Sequence, residues 1–459
     1  MDARTRLLLE APPGRTILRL AWPNVLVMAA QAAVGLIETY FVAKLGADAL
    51  AGMSLVFPVL MLLQMVSAGA VGGAVLSAVA RALGADDRRR VNQVVWTSVL
   101  LTLGLSGATT VGVILGGPWL YAVMGGTGGG LAAALTYSGI VFVGAVPLWL
   151  FNTFAAMIRG TGNMLVPALV IVGGALVLIP LSPMLIFGVG PFPQLGVAGG
   201  AVAVLGYYVA GAVILGWYIW SGQGVLKPSA LPPSLSVGPA LDILRIGAAS
   251  TVNAFSTNVT VAATLSLVSA VNPALVAGYG AGVRLEYLLV PLVFGIGAPA
   301  AAMAGASMGA GNLRRAGQVA WVAAGMAALI TEAIGLGAAL APEPWIRLFS
   351  TEPDIVAGGA AYLRAVGPAY GFFGAGFALY FASQGAGRIG IPLIAAILRV
   401  AVTVGLGRLA MQAFGTGGLY LALASGLALY AATNAVAVRL WSRPAPRAAR
   451  SPVPEASKS

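Results

Sequence analysis

The sequence contains no cysteine and no histidine, and charged residues make up only 8% of its 459 positions. Without cysteine there are no disulfides and no thiolate chemistry. Without histidine the usual near-neutral switch is missing, so any proton-linked event must use a carboxylate. A soluble globular domain carries about 25% charged residues. Here 59% of residues are hydrophobic, 63 are glycine, and the mean hydropathy is +0.93. Too little polar surface exists to cover a water-soluble body, which excludes an ordinary soluble enzyme, a disulfide scaffold and a disordered chain. The net charge of +12 suits nucleic acid in principle, but most basic residues sit in short clusters between long apolar runs. Such clusters orient membrane helices. The chain reads as an integral membrane protein with no nucleic-acid partner.

A span needs about 20 mostly apolar residues. Breaking the chain at charged and Pro/Gly punctuation predicts twelve: 17–43, 50–80, 92–120, 131–158, 164–187, 196–220, 240–270, 274–305, 316–341, 355–383, 389–413 and 417–441. Arg4, Arg6, Arg15 and Arg19 stand before or at the start of the first. A cleavable signal has an apolar core of only about 7–15 residues, so 17–43 is read as a retained span. Alternate connections hold the positive charge: the four N-terminal arginines; Arg81, Arg88, Arg89 and Arg90; Arg159; Lys227 and Arg245; Arg314 and Arg315; Arg388; and Arg439, Arg443, Arg447, Arg450 and Lys458. The opposite connections hold Lys44 and Arg347, while Arg284, Arg364, Arg399 and Arg408 fall inside spans. The positive-inside rule and the even span count independently predict both termini in the cytoplasm, with the chain in the cell's inner (plasma) membrane.

The chain repeats itself. ILRL at 17–20 recurs as ILRI at 243–246, GADDRRR at 84–90 as GAGNLRR at 309–315, and RGTGNMLVP at 159–167 as QGAGRIGIP at 384–392. One register with a single-residue slip therefore relates two halves of six spans each. The expected division is a first lobe at 1–223, a cytoplasmic linker at 224–239 and a second lobe at 240–459 ending in a cytoplasmic tail. Two such lobes suit a transporter that rocks around a central site. No nucleotide-driven element is present: a phosphate-cradling loop ends in Gly-Lys, and none of Lys44, Lys227 and Lys458 follows a glycine. No cofactor is expected, and an ion gradient remains as the energy source. One charge crossing 150–200 mV is worth about 3.5–4.6 kcal/mol.

In the first span Asn24, Gln31 and Glu38 recur every seven residues and share a face. The repeat register carries them onto Ser250, Thr257 and Thr264 of the seventh span, with Asn253 and Thr260 between. Two such stripes would suit a shared hydrated cavity, for which Tyr40 and Asn152 are further lining candidates; interhelical hydrogen bonding is the plainer alternative. Glu38 stands out because its repeat partner is neutral Thr264, and a carboxyl inside a membrane helix is costly and marks function. Pro23 removes a backbone bond and permits a bend in the first span. Glu286 lies mid-span with Arg284 nearby and Arg399 in the eleventh span. A buried Glu286–Arg399 or Glu286–Arg284 pair that fixes lobe packing is expected, with a coupling role as the alternative. Glu332 is read as solvated or locally paired. Trp149, Phe151, Phe154, Tyr370, Phe372 and Phe373 either line a cavity or pack.

LAWP at 20–23, GLIETYFVAKLGADALAG at 35–52, RALGADDRRR at 81–90, LIFGVGPFPQLGVAGGA at 185–201, GYGAGVRLE at 278–286 and SMGAGN at 307–312 resemble the multidrug and toxic compound extrusion (MATE) family. The resemblance covers nearly the whole chain. It implies an all-α integral membrane protein with twelve transmembrane helices in two pseudo-symmetric six-helix lobes, and cation-coupled export of small organic compounds. The family's acidic coupling residue falls on Glu38 and its bending proline on Pro23. Departures are informative: Glu38 replaces the aspartate usual in prokaryotic relatives, and Leu178 and Ser182 stand where many relatives carry Asn and Asp. Proton coupling is therefore expected in preference to sodium, no metal site is expected, and the substrates are expected to be cationic amphiphiles handled by a monomer. A lipid or lipid-linked sugar flippase of the same superfamily is the alternative, resting on the embedded Arg284, Arg364, Arg399 and Arg408. An intramembrane enzyme is the remote one, since no catalytic arrangement is seen.

Overall fold

The computed structural model describes residues 2–234 and 236–443, without the side chains at 32, 33 and 36. Arg447, Arg450 and Lys458, counted above with the loop charges, lie outside the described residues, as does most of the expected tail. Every regular element among the described residues is helical. A short α1 (Ala3–Glu10), capped by Asp2, leads into α2 (Pro13–Ala43), which carries Pro23 inside it. The second span is continuous from Ala47 to Gly84 and comprises α3 (Ala47–Gln64), a π-helical turn (Met65–Val71) and α4 (Gly72–Gly84). It is followed by α5 (Arg88–Val123), then by α6 (Gly128–Val143) and α7 (Ala145–Gly160), which meet at a 51° bend. Next come α8 (Leu165–Phe187) and α9 (Val197–Trp220).

The second half runs through α10 (Val237–Ser269), α11 (Pro273–Gly309), α12 (Leu313–Leu340), a short α13 (Pro342–Ile346), α14 (Pro353–Val366) and α15 (Tyr370–Gly385). It ends with α16 (Gly390–Ala401), a π-helical turn (Val402–Leu406) and α17 (Gly407–Trp441), which breaks at Gly415, where φ is 64°. Among the described residues, nine units are long and apolar enough to cross a membrane when the bent α6–α7 pair counts as one. Adding α2 and α10, at 31 and 33 residues, and dividing the last unit at Gly415 makes twelve spans. Leu115, Trp119, Leu329 and Leu340 point outward, at least 70% exposed, as lipid-facing side chains must.

The repeat is visible in the backbone. Asp86 is the one non-glycine residue among those described with positive φ, at 54°, and its repeat counterpart is Gly311 at 72°. The next residues, Asp87 and Asn312, each accept the backbone N–H three positions on, both at 3.0 Å, so the same capped turn opens α5 and α12. The α6–α7 bend at Gly144 corresponds to the short 3₁₀ turn Gly367–Ala369 between α14 and α15.

The lobes close on each other at the end that carries the arginine-rich turns. A Cβ at Gly84 would overlap the Ala306 carbonyl, and one at Gly309 would overlap the Arg81 carbonyl. These are the same contact seen from the two repeats, because Gly309 and Ala306 are the counterparts of Gly84 and Arg81. Around it Ser77 donates to the Gly385 carbonyl at 2.8 Å, Arg81 pairs with Asp242 at 2.7 Å, and Arg315 donates to the Leu8 and Ala11 carbonyls of the α1 segment.

Candidate functional site

The polar face of α2 sorts its three residues by depth. Glu38 lies about one turn from the C-terminal end of α2 and is 8% exposed. Its Oε1 accepts the phenolic O–H of Tyr137 on α6 at 2.6 Å. Both line a cavity of about 110 Å³ inside the first lobe, together with Gln31, Gln64, Tyr207 and Tyr208. Leu178 of α8 forms part of the same wall, and Ser182 is buried one turn further on with its hydroxyl unpartnered. Glu38 is thus the one carboxyl on the described lining, and no group of three or more His, Cys, Asp or Glu suited to a metal gathers among the described residues. Chemically the site is a desolvated carboxyl with one phenolic donor, facing amide and aromatic side chains. Burial disfavours the charged form of a carboxyl, while a hydrogen bond to the carboxylate favours it.

Asn152 of α7 donates to Gln64 Oε1 at 2.6 Å and to Ser67 Oγ at 2.8 Å, so it anchors the π-helical turn beside the cavity. Pro23 and Asn24 are buried deeper in α2, and Asn24 Oδ1 has no partner. Tyr40 lies outside the cavity: it is 58% exposed, with Lys44 Nζ 4.5 Å from its ring centroid. Tyr137, Tyr207, Tyr208 and Gln64 were not singled out in the sequence; a hydroxyl or amide within an otherwise apolar span was the available signal.

The stripe on α10 is engaged in a separate network within the second lobe and is not on the described lining of the cavity. Ser250 accepts from Gln384 at 2.7 Å, Asn253 accepts from the Tyr430 hydroxyl at 3.0 Å, and Thr264 donates to the Thr260 carbonyl at 2.8 Å. Thr257 lies 3.5 Å from Arg399. Arg399 pairs with Glu286 at 3.3 Å, both side chains being at most 10% exposed, and Tyr362 donates to the other Glu286 oxygen at 3.3 Å. Of the two expected pairings the structure shows Glu286–Arg399. Arg284 is exposed and sits over the Phe349 ring. Arg364 is exposed and pairs with Glu343 at 2.5 Å, and Arg408 is exposed as well. Glu332 accepts the Gly371 N–H at 2.6 Å, a local pairing. Of the six aromatics, Trp149, Phe151, Phe154, Tyr370 and Phe373 are packed in the cores, while Phe372 is 49% exposed.

One loop charge is misplaced by the sequence reading. Arg159 is in the last turn of α7 and only 7% exposed. Side chains of a helix lean toward its N-terminus, so an arginine at the end of a span points back into the protein.

The MatE family model matches residues 23–184 and 249–408, two segments whose starts are 226 positions apart, which is the repeat offset found in the first spans. The chain is 27% identical over 398 residues to the probable multidrug resistance protein NorM of Thermotoga maritima, covering 85% of this chain and 84% of that one. It is 26% identical over 368 residues to a FAD transporter of Shewanella oneidensis, covering 80% and 81%. Among solved structures, MATE in the bent conformation shares the fold with a TM-score of 0.88 at 24% identity, over 96% of this chain and 98% of that one. MATE in the straight conformation does so at 0.86. The chain belongs to the MATE family of multidrug and toxic compound extrusion transporters.

Proposed function

We propose that the chain is a proton-coupled antiporter that exports small organic amphiphiles by alternating access, as a monomer in the plasma membrane with both termini cytoplasmic. The observation that carries this is Glu38: a buried carboxyl on the proline-bearing α2, hydrogen-bonded to Tyr137 and opening onto a cavity with aromatic walls. In the protonated state it presents a neutral hydrogen-bonding group, and in the ionised state it offers a negative charge among rings that attract organic cations. Proton and cationic substrate then compete for one group. A desolvated sodium ion would need several oxygen ligands, ordinarily more than one of them charged, whereas the described lining offers a single carboxyl with apolar Leu178 in the same wall, so the proton is the simpler partner. The sealed end carries the arginine-rich turns. With those turns in the cytoplasm, this is the conformation closed to the cytoplasm.

The flippase alternative drew on four embedded arginines. Of these only Arg399 is buried, and Glu286 neutralises it. The reading is tested by the binding of ethidium, a fluorescent organic cation, to the purified protein across pH. Wild-type affinity should fall as protons compete, and Glu38→Gln should bind weakly with a flat pH profile. An unchanged pH profile in Glu38→Gln would remove Glu38 from the coupling step.

A further inference from the structure

The repeat places a polar side chain at the boundary between the lobes twice, and the two copies differ in a way that packing does not explain. In the second lobe the residue is Gln384, 1% exposed, whose amide donates to Ser250 and to the Tyr380 hydroxyl while lying against Gly73 of the first lobe. In the first lobe the counterpart is Arg159, whose guanidinium lies 5.9 Å from the ring of Phe294 in the second lobe. Gln384 is satisfied and Arg159 is not. No carboxylate pairs with the Arg159 guanidinium and no hydrogen bond from it occurs among the described residues, and its Nε is buried with no partner. The same holds one step away. Ser250 bonds Gln384 at 2.7 Å, but Asn24, the counterpart of Ser250, keeps an unpartnered Oδ1.

A neutral amide performs the structural role at this position in one repeat. The positive charge in the other is therefore surplus to packing, and it is held where an unpaired charge is expensive. Arg159 is on α7, the helix whose Phe151 packs edge-on against Tyr207 and Tyr208, wall residues of the Glu38 cavity. Guanidinium presents a planar fork of donors that matches carboxylate and phosphate oxygens.

We propose that Arg159, at the lobe boundary, binds the anionic group, a phosphate or carboxylate, of an aromatic compound carried by the protein. This deepens the export reading, on which it rests: the transported class includes aromatic anions and zwitterions whose positive or neutral part reaches toward Glu38. Separation of the lobes at the sealed end would expose Arg159 to such a compound, and closure would desolvate the contact.

The test is equilibrium binding to the purified protein in dodecyl maltoside at neutral pH. The probes are 1-naphthyl phosphate, 1-naphthoate and 1-naphthol, which share a ring and differ in charge. Wild type should bind the two anions about ten-fold or more tightly than naphthol, as expected for a charge-assisted fork. Arg159→Gln, which copies the other repeat, should bind all three alike, and Arg159→Lys should keep a reduced anion preference. Should Arg159→Gln not fold, the wild-type preference and its reduction in Arg159→Lys decide the question. A parallel titration with short-chain phosphatidylglycerol separates the sources: Arg159-dependent binding of that lipid, without binding of the soluble anions, assigns the site to a lipid headgroup. Equal wild-type affinities for all probes, or an anion preference that survives Arg159→Gln, overturns the proposal. Because binding rather than transport is read, that failure leaves proton coupling at Glu38 untouched, and a failure of coupling leaves this site standing.

Discussion

Replacing Glu286 with glutamine tests whether the second lobe is held by its charge pair. Glu286 and Arg399 meet at 3.3 Å with side chains no more than 10% exposed, and Tyr362 donates to the remaining carboxylate oxygen. Removing one partner of a buried pair costs about 3–5 kcal/mol, because the other charge is left uncompensated. Glutamine keeps one acceptor for Arg399 or Tyr362, so the loss should fall at the lower end. About 3 kcal/mol corresponds to roughly a 150-fold change in the unfolding equilibrium. Thermal unfolding of the purified protein in detergent should show a clear drop in melting temperature, accompanied by lower yield. Neutralising both residues together, in Glu286→Gln with Arg399→Gln, should recover part of the loss, since the unpaired charge is then gone. A Glu286→Gln protein that melts like wild type but no longer transports would refute this reasoning and move Glu286 into the coupling machinery.

Three further outcomes follow from the same geometry. Tyr137→Phe removes the phenolic donor to Glu38, an interaction worth about 1.5–3 kcal/mol to a charged acceptor; the pH profile of efflux should move to the alkaline side, and a profile superimposable on wild type would separate Tyr137 from coupling. Gly84→Val adds atoms against the Ala306 carbonyl, an overpacking worth about 1–3 kcal/mol, and should hold the sealed end apart; a single cysteine at Ser77 should then gain reactivity toward thiol reagents, whereas continued protection would show that closure does not depend on this contact. The natural chain lacks cysteine, so single cysteines at Arg89, Lys227 and Arg315 report topology directly. They should resist membrane-impermeant reagents in intact cells, and ready labelling would invert the assignment of sides.

Much of the fold was legible because its signals are local. Apolar runs between charged turns delimit the spans, and the duplicated GADD/GAGN and RGTG/QGAG turns reveal the two lobes, down to Asp86 standing where Gly311 needs positive φ. The sequence narrowed the partner of Glu286 to Arg284 or Arg399, because isolated mid-span charges have few possible partners, and helix packing selects Arg399. The site was only partly legible, because its remaining contacts are long-range. Nothing near Glu38 in the chain points to Tyr137, ninety-nine positions away. Helical periodicity put the α10 stripe on one face, but whether that face meets a cavity or Gln384, Tyr430 and Arg399 depends on helix packing. Arg159 was assigned to a loop from the boundary of its span, although the lean of a helical side chain turned it inward. Tyr40 followed the same α2 segment as Glu38 and yet lies two residues round the helix, on the outside.

Glu38 is the proposed coupling group, and efflux from proteoliposomes carrying an imposed proton gradient measures its role directly. Wild-type protein should expel ethidium when protons are supplied from the opposite side, and an equal sodium gradient without a proton gradient should not replace them. Glu38→Gln should reconstitute normally and show no gradient-driven efflux, while Glu38→Asp, with a shorter reach to Tyr137, should retain part of it. Efflux from Glu38→Gln at the wild-type rate would contradict the proposed mechanism and direct attention to Glu286 and Glu332.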